Sequence, residues 1–149
     1  MRRYILILFL ILFTSYTASA LADSRKLVLV TAKNNDIPAL NAKELKKVYL
    51  GLIVKKQGNV LTPILNHTES LMDEVFLQNV IFMSSRNYER QLNSRTFRSG
   101  KRIHAHSSLK EIIDSLQKNN NSITYLWESD AKKYSNIKII QNLWAGSVD

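Results

Sequence analysis

Cysteine is absent from this sequence of 149 residues. Its absence excludes disulfides, a thiol nucleophile and any cysteine-ligated metal centre. Acidic residues are scarce beside basic ones, 12 against 21, which leaves a formal charge of +9. Such a surplus bears on partners and solubility rather than on fold. Phosphate-bearing small molecules, anionic lipid headgroups, polysaccharides and nucleic acid are all attracted by it. A long apolar run is also missing. Tyr4 to Phe13 is ten residues without a charge or a breaker, well short of the ~20 that a bilayer span requires. There is no internal repeat, low-complexity tract or linker.

The surroundings of that short run give it a meaning. Arg2 and Arg3 precede it, Thr14, Ser15 and Thr17 follow, and then come two A-x-A patterns, Ala18-Ser19-Ala20 and Ala20-Leu21-Ala22. This layout predicts a cleaved secretory signal over residues 1–22, and a single domain over 23–149. No cysteine stands at either cleavage pattern, which excludes a lipid-anchored lipoprotein. Removing 22 of 149 residues leaves 127, and losing Arg2 and Arg3 lowers +9 by 2 to +7. That length supports one compact domain with its own core. The expected location is the periplasm, with no stable membrane insertion after signal removal. Export makes nucleic acid the least expected of the anionic partners, and none is assigned.

The remaining chain interleaves strands and helices. Leu27 to Thr31 is a short apolar run rich in β-branched residues, which predicts a buried strand ending at the turn-prone Lys33-Asn34-Asn35-Asp36. Asn41 and Glu44 have capping-box spacing before a helix that buries Leu45, Val48 and Tyr49 and stops at Gly51. A turn at residues 55–59 leads to a strand over Val60 to Leu65. Met72, Val75, Phe76, Val80 and Met83 then recur at three- and four-residue spacing, which predicts an amphipathic helix. Ser84 and Ser85 interrupt it and are placed to cap another helix, with Tyr88 and Leu92 on one face and Phe97 as an anchor beyond. His104-Ala105-His106 reads as an extended link. Ser108 and Glu111 form the sequence pattern of a second capping box, before Ile112, Ile113 and Leu116. Strands over Ile123 to Trp127 and Ile137 to Ile140 complete the pass. The expected class is α/β, a mixed sheet with helices on both faces.

Several of these pieces, in this order, resemble the substrate-binding proteins of bacterial phosphate ABC transporters. Val48-Tyr49-Leu50-Gly51 matches their "IFLG"-like helix end. Gly58 and Pro63-Ile64 match the turn glycine and the following "PV" strand. Asn121 to Leu126 stands where the family has "GAIGYV", although both glycines are replaced. The resemblance implies one lobe, or a reduced form, of a periplasmic binding protein. It also implies a small oxyanion such as phosphate as ligand, and a transporter permease or sensor protein as partner. By position in that family the ligand-binding residues are Thr68, Ser70, Lys33, Asn34 and Arg98. The family's larger members bind phosphate at the start of the helix after the "PV" strand, here Asn66-His67-Thr68-Glu69-Ser70. Thr68 and Ser70 supply hydroxyls there, but glycine is lacking and Glu69 adds a like charge. The residues fit two readings: Thr68 or Ser70 capping their own helix, or a helix mouth holding an anion.

Other chemistry has little support in the sequence. Arg86, Arg90, Arg95, Arg98, Lys101 and Arg102 put six positive charges into seventeen residues, opposed only by Glu89. This is either a solvated face or a dock for an anionic polymer, lipid headgroup or acidic protein. His67, His104 and His106 lack a carboxylate or cysteine at ligand spacing, so no metal site is assigned. No nucleophile, base and orienting group share a recognisable spacing. The expectation is a non-enzyme without a cofactor.

Overall fold

The computed structural model describes residues 24–147. The signal segment expected over 1–22 lies outside the described residues. A five-stranded mixed sheet of order β5-β4-β6-β1-β7 organises them. Its strands are β1 (Ser24–Ala32), β4 (Thr62–Asn66), β5 (His104–His106), β6 (Ser122–Trp127) and β7 (Ile137–Ser147). β4 runs parallel to β5 and β6, whereas β1 is antiparallel to both β6 and β7. A separate two-stranded ribbon, β2 (Lys55–Lys56) and β3 (Asn59–Val60), turns at Gly58, whose φ of +81° suits glycine.

The apolar run of β1 supplies both faces of the sheet. Leu27 and Leu29 enter one core while Val28 and Val30 enter the other, and all four are fully buried. This is the period-two alternation of a strand covered on both sides. Helix α1 (Ala42–Tyr49) and helix α2 (Ser70–Val75) lie over the first face. Helices α4 (Leu109–Lys118) and α5 (Glu128–Ala131) cover the second, through Ile112, Ile113, Leu116 and Ala131. Burying each such aliphatic side chain is worth about 1.5–3 kcal/mol. The expected α/β sandwich of helices on both faces is the architecture observed.

Helix α2 does not run regularly into a second turn. Phe76–Ile81 continue it as a π-helical stretch, and Phe82 closes it in the left-handed region at φ 57°. The wider winding packs Phe76, Leu77, Val80 and Ile81 into the same core. At the centre of that core Phe76 stacks on Tyr125, with ring centroids 3.7 Å apart and planes 7° from parallel. Tyr49 meets Phe76 edge-on at 4.8 Å and Tyr125 at 5.8 Å. Edge and offset contacts of this kind add about 0.5–1.5 kcal/mol per pair beyond area.

One local expectation holds and three are corrected. The Asn41–Glu44 box is formed reciprocally, with both hydrogen bonds at 2.9 Å. The Ser108–Glu111 box is not: Ser108 is the N-cap of α4 but makes no capping bond with its side chain. The Glu111 carboxylate stands 3.7 Å from His106 Nδ1 instead. Phe97 is no anchor, since it is 92% exposed on helix α3 (Ser85–Ser99). β7 also extends to Ser147, well past Ile140, because two irregularities in its register with β1 break the alternation that marks a strand in sequence.

Replacing Phe76 by alanine is expected to destabilise the domain by about 3–5 kcal/mol. Phe97→Ser should fall within about 0.5 kcal/mol of the parent. Urea unfolding midpoints of the two variants check this, and equal losses would contradict the core assignment.

Candidate functional site

The start of α2 is built by Asn66, the last residue of β4. Asn66 is fully buried, and its Nδ2 donates to the Tyr125 carbonyl at 2.8 Å. Its Oδ1 accepts from both the Thr68 backbone N–H, at 3.0 Å, and the Thr68 hydroxyl, at 2.7 Å. Thr68 is thus turned back onto its own chain. Glu69 is the N-cap position of α2, and no side chain caps that helix. The Glu69 carboxylate accepts from Trp127 Nε1 at 2.8 Å and from Arg25 Nη1 at 3.0 Å. The Arg25 guanidinium in turn lies 5.3 Å from the centre of the Trp127 ring. Expected self-capping by Thr68 or Ser70 is therefore replaced by an Asn66 turn and a carboxylate clamp.

Behind the mouth lies a polar chain. The Tyr125 hydroxyl donates to Asp73 Oδ1 at 2.7 Å, and the second Asp73 oxygen meets His67 Nδ1 at 3.1 Å. Burial, followed by the neighbouring Asp73 charge, pushes the Tyr125 phenol well above its ordinary range. Burial does the same to Tyr49 and Tyr88, whose hydroxyls donate to the carbonyls of Ile123 and Tyr49.

An open cleft of about 550 Å³ beside the mouth is lined by Arg25, Lys26 and Lys132 but also by Glu69, Glu128 and Asp130. Three cations face three anions, so this end of the sheet offers little net attraction for an anion. The other end differs. A cleft of about 590 Å³ is lined by Gly51, Leu52, Ile53, Arg95, Arg98, Ser99 and Lys101, with three cations and no acid. Arg95 and Arg98 also border a second depression with Arg90, Gln91 and Ser94.

These two ends are far apart, and the sheet explains why. Thr31 donates to the Ser122 carbonyl at the start of β6, and the Thr62 N–H to the Asn121 carbonyl beside it. Lys33 and Asn34 follow directly on from Thr31, so they leave the sheet where β4 and β6 begin. Thr68 and Ser70 lie past the end of β4. Six residues of extended chain from Thr62 to Thr68 span about 20 Å. Arg98 is at the end with Gly51 and Lys101. Of the five residues that the resemblance implied, Thr68 and Ser70 share the mouth, and Lys33, Asn34 and Arg98 lie toward the opposite end.

Sequence reasoning missed Arg25 and Trp127 as the partners of Glu69, which stand 44 and 58 residues away from it. It also gave no link between His67 and the His104–His106 pair. Strand β5 supplies one, since the His67 N–H donates to the His106 carbonyl at 2.9 Å. The side chains diverge nonetheless, His67 toward Asp73 and His106 toward Glu111. Among the described residues no three His, Cys, Asp or Glu side chains are grouped to hold a metal.

This sheet and its helices are similar to solved structures. An ABC-type phosphate transport receptor from Vibrio cholerae matches with a TM-score of 0.57 at 12% identity, over 79% of this chain and 46% of that one. PstS from Borrelia burgdorferi matches at 0.54 and 19% identity, over 79% and 47%. A possible phosphate binding protein from Planctomyces limnophilus matches at 0.55 and 14% identity, over 80% and 42%. The fold is that of one periplasmic-binding-protein lobe. The chain spans less than half the length of each of these three proteins. No family profile and no curated protein matches the sequence. Among the described residues of this lobe no helix is long and apolar enough to cross a membrane.

The neutral forms of three buried phenols are favoured by the fold, so stability should be intact below about pH 10 and decline above it as unfolded phenols ionise. For these three of the six tyrosines, phenolate absorbance is expected to rise together with loss of circular dichroism rather than before it. Tyr125→Phe should cost about 1–3 kcal/mol, since it takes a donor from Asp73; a neutral effect in urea unfolding would mean the polar chain is idle.

Proposed function

We propose that the protein is a non-catalytic, exported solute-binding-type domain whose ligand is anionic, and that it meets this ligand at the helix α3 end rather than at the α2 mouth. The single observation that supports the reading is charge composition. The cleft of Arg95, Arg98 and Lys101 carries cations alone, while the mouth cleft is balanced by Glu69, Glu128 and Asp130. A like charge within a few ångströms of a bound anion costs on the order of 1–4 kcal/mol at surface-like dielectric. Glu69 imposes that cost at the mouth, and Thr68 Oγ1 is committed to Asn66.

The likeness to phosphate receptors supports a phosphate-like oxyanion as the chemical class, held from one side by guanidinium and ammonium groups. The periplasm, a permease or sensor as downstream partner, and absence of turnover belong to the same reading. The open cleft leaves the ligand in contact with water, so affinity should be weak and salt-sensitive.

Calorimetric titration with inorganic phosphate at low salt tests this. Weak binding is expected that Arg98→Ala abolishes and Thr68→Ala leaves unchanged. The reverse pattern would return the site to the mouth, and no heat at millimolar phosphate would defeat the small-oxyanion reading.

A further inference from the structure

Six large apolar side chains are exposed among the described residues, and three of them, Leu52, Ile53 and Val60, line one groove. The groove, of about 170 Å³, adjoins the Arg95–Arg98 cleft, and the two share Gly51, Leu52, Ile53 and Lys101. The exposure is not looseness. Gly51 turns the chain out of α1 at φ +76°, and the Leu52 N–H then donates to the Lys47 carbonyl at 2.9 Å. The Leu61 N–H donates to the Val54 carbonyl at the same distance. Leu52 and Ile53 are therefore held outward on a pinned backbone. Apolar side chains gathered in an exposed concavity mark a site for a ligand.

The basic wall is fixed too. The Ser99 hydroxyl donates to the Arg95 carbonyl at 2.9 Å and accepts from the Lys101 N–H at 3.2 Å. No acid lines either cleft, and among the described residues Arg95, Arg98, Lys101 and Arg102 have no acidic partner. Of the two clefts, Arg95 and Arg98 line the first alone, while Val60, Leu61, Pro63 and Ile103 line the second alone. Charge and apolar surface are thus sorted to opposite ends of one joined groove. A bare oxyanion would use the first end and leave the second empty.

We infer that the joined groove takes a single amphiphilic anion, with its phosphate head on Arg95 and Arg98 and an aliphatic tail along Leu52, Ile53 and Val60. The inference rests on the anion-binding reading above and adds the body that carries the anion. Guanidinium groups suit the head. The tail asks for no hydrogen bonds, whereas a peptide would bring amides that need partners in an apolar lining. Phe97 takes no part, because two residues beyond Arg95 is about 200° round the helix, which turns it away from the groove.

Calorimetric titration with octyl phosphate below its micelle concentration, beside inorganic phosphate and the neutral octyl glucoside, tests this. The protein is used as recovered from expressing cells, and octyl glucoside reads any tail binding by residues 1–22. Octyl phosphate is expected to bind at least about tenfold tighter than inorganic phosphate, the worth of about two buried methylenes. Octyl glucoside should bind at least about tenfold more weakly than octyl phosphate. Ile53→Ser should weaken octyl phosphate about fivefold and leave inorganic phosphate unchanged, and Phe97→Ser should alter neither. Equal affinity for the two phosphates overturns the tail and leaves the anion site standing. Octyl glucoside binding as tightly as octyl phosphate overturns the paired head and tail, and a tail gain that survives Ile53→Ser overturns the placement. A lipid sheet shares this chemistry, so phosphatidylglycerol vesicles form a further arm. Any sedimentation with them is expected to ignore Ile53→Ser, and sensitivity there overturns the free molecule as the source. Silence with both phosphates removes the inference together with the reading beneath it.

Discussion

One buried side chain holds the two halves of the molecule in register. The Tyr125 ring is pressed between Phe76 and Tyr49, and its hydroxyl reaches out of the apolar core to Asn66 and Asp73. A phenol in that position must find partners or lose its hydration without compensation. Asn66 and Asp73 are those partners, and satisfying Tyr125 fixes the end of β4 and the first turn of α2 relative to β6. Asn66 then has its remaining oxygen free for Thr68, which settles the shape of the helix mouth. The mouth is thus set by a core requirement.

The same requirement explains why the sequence shows the scaffold better than the site. β1 was readable because its buried run is local and its faces alternate. α1 was readable because the Asn41–Glu44 bonds are local: Glu44 accepts from the Asn41 N–H through one carboxylate oxygen and meets Lys56 with the other. Ser108 and Glu111 have the same spacing, yet Glu111 lies beside His106 of β5, a neighbour in space supplied by strand pairing. Thr68 looked like a ligand hydroxyl because it opens a helix; the group that captures it is two residues away but is fixed by the Tyr125 carbonyl, 59 residues from Asn66. Lys33 and Arg98 were joined to Thr68 by family position, and the running direction of β1 against β6 separates them.

Charge is distributed along the axis of the sheet. At one end the bases and acids neutralise one another around Trp127. At the other the bases of α3 have little opposition and stand among exposed apolar side chains. The cleft among them is open, so a ligand held there stays in contact with solvent.

Ser24 pairs directly with Ser147 at the outer end of β1 and β7. The two described termini therefore lie side by side, at the Trp127 end of the sheet, and β1 carries the chain about 30 Å along before it turns. Coupling the domain to a bead, a sensor chip or a fluorescent carrier through either terminus would orient it with α3 turned away from the support.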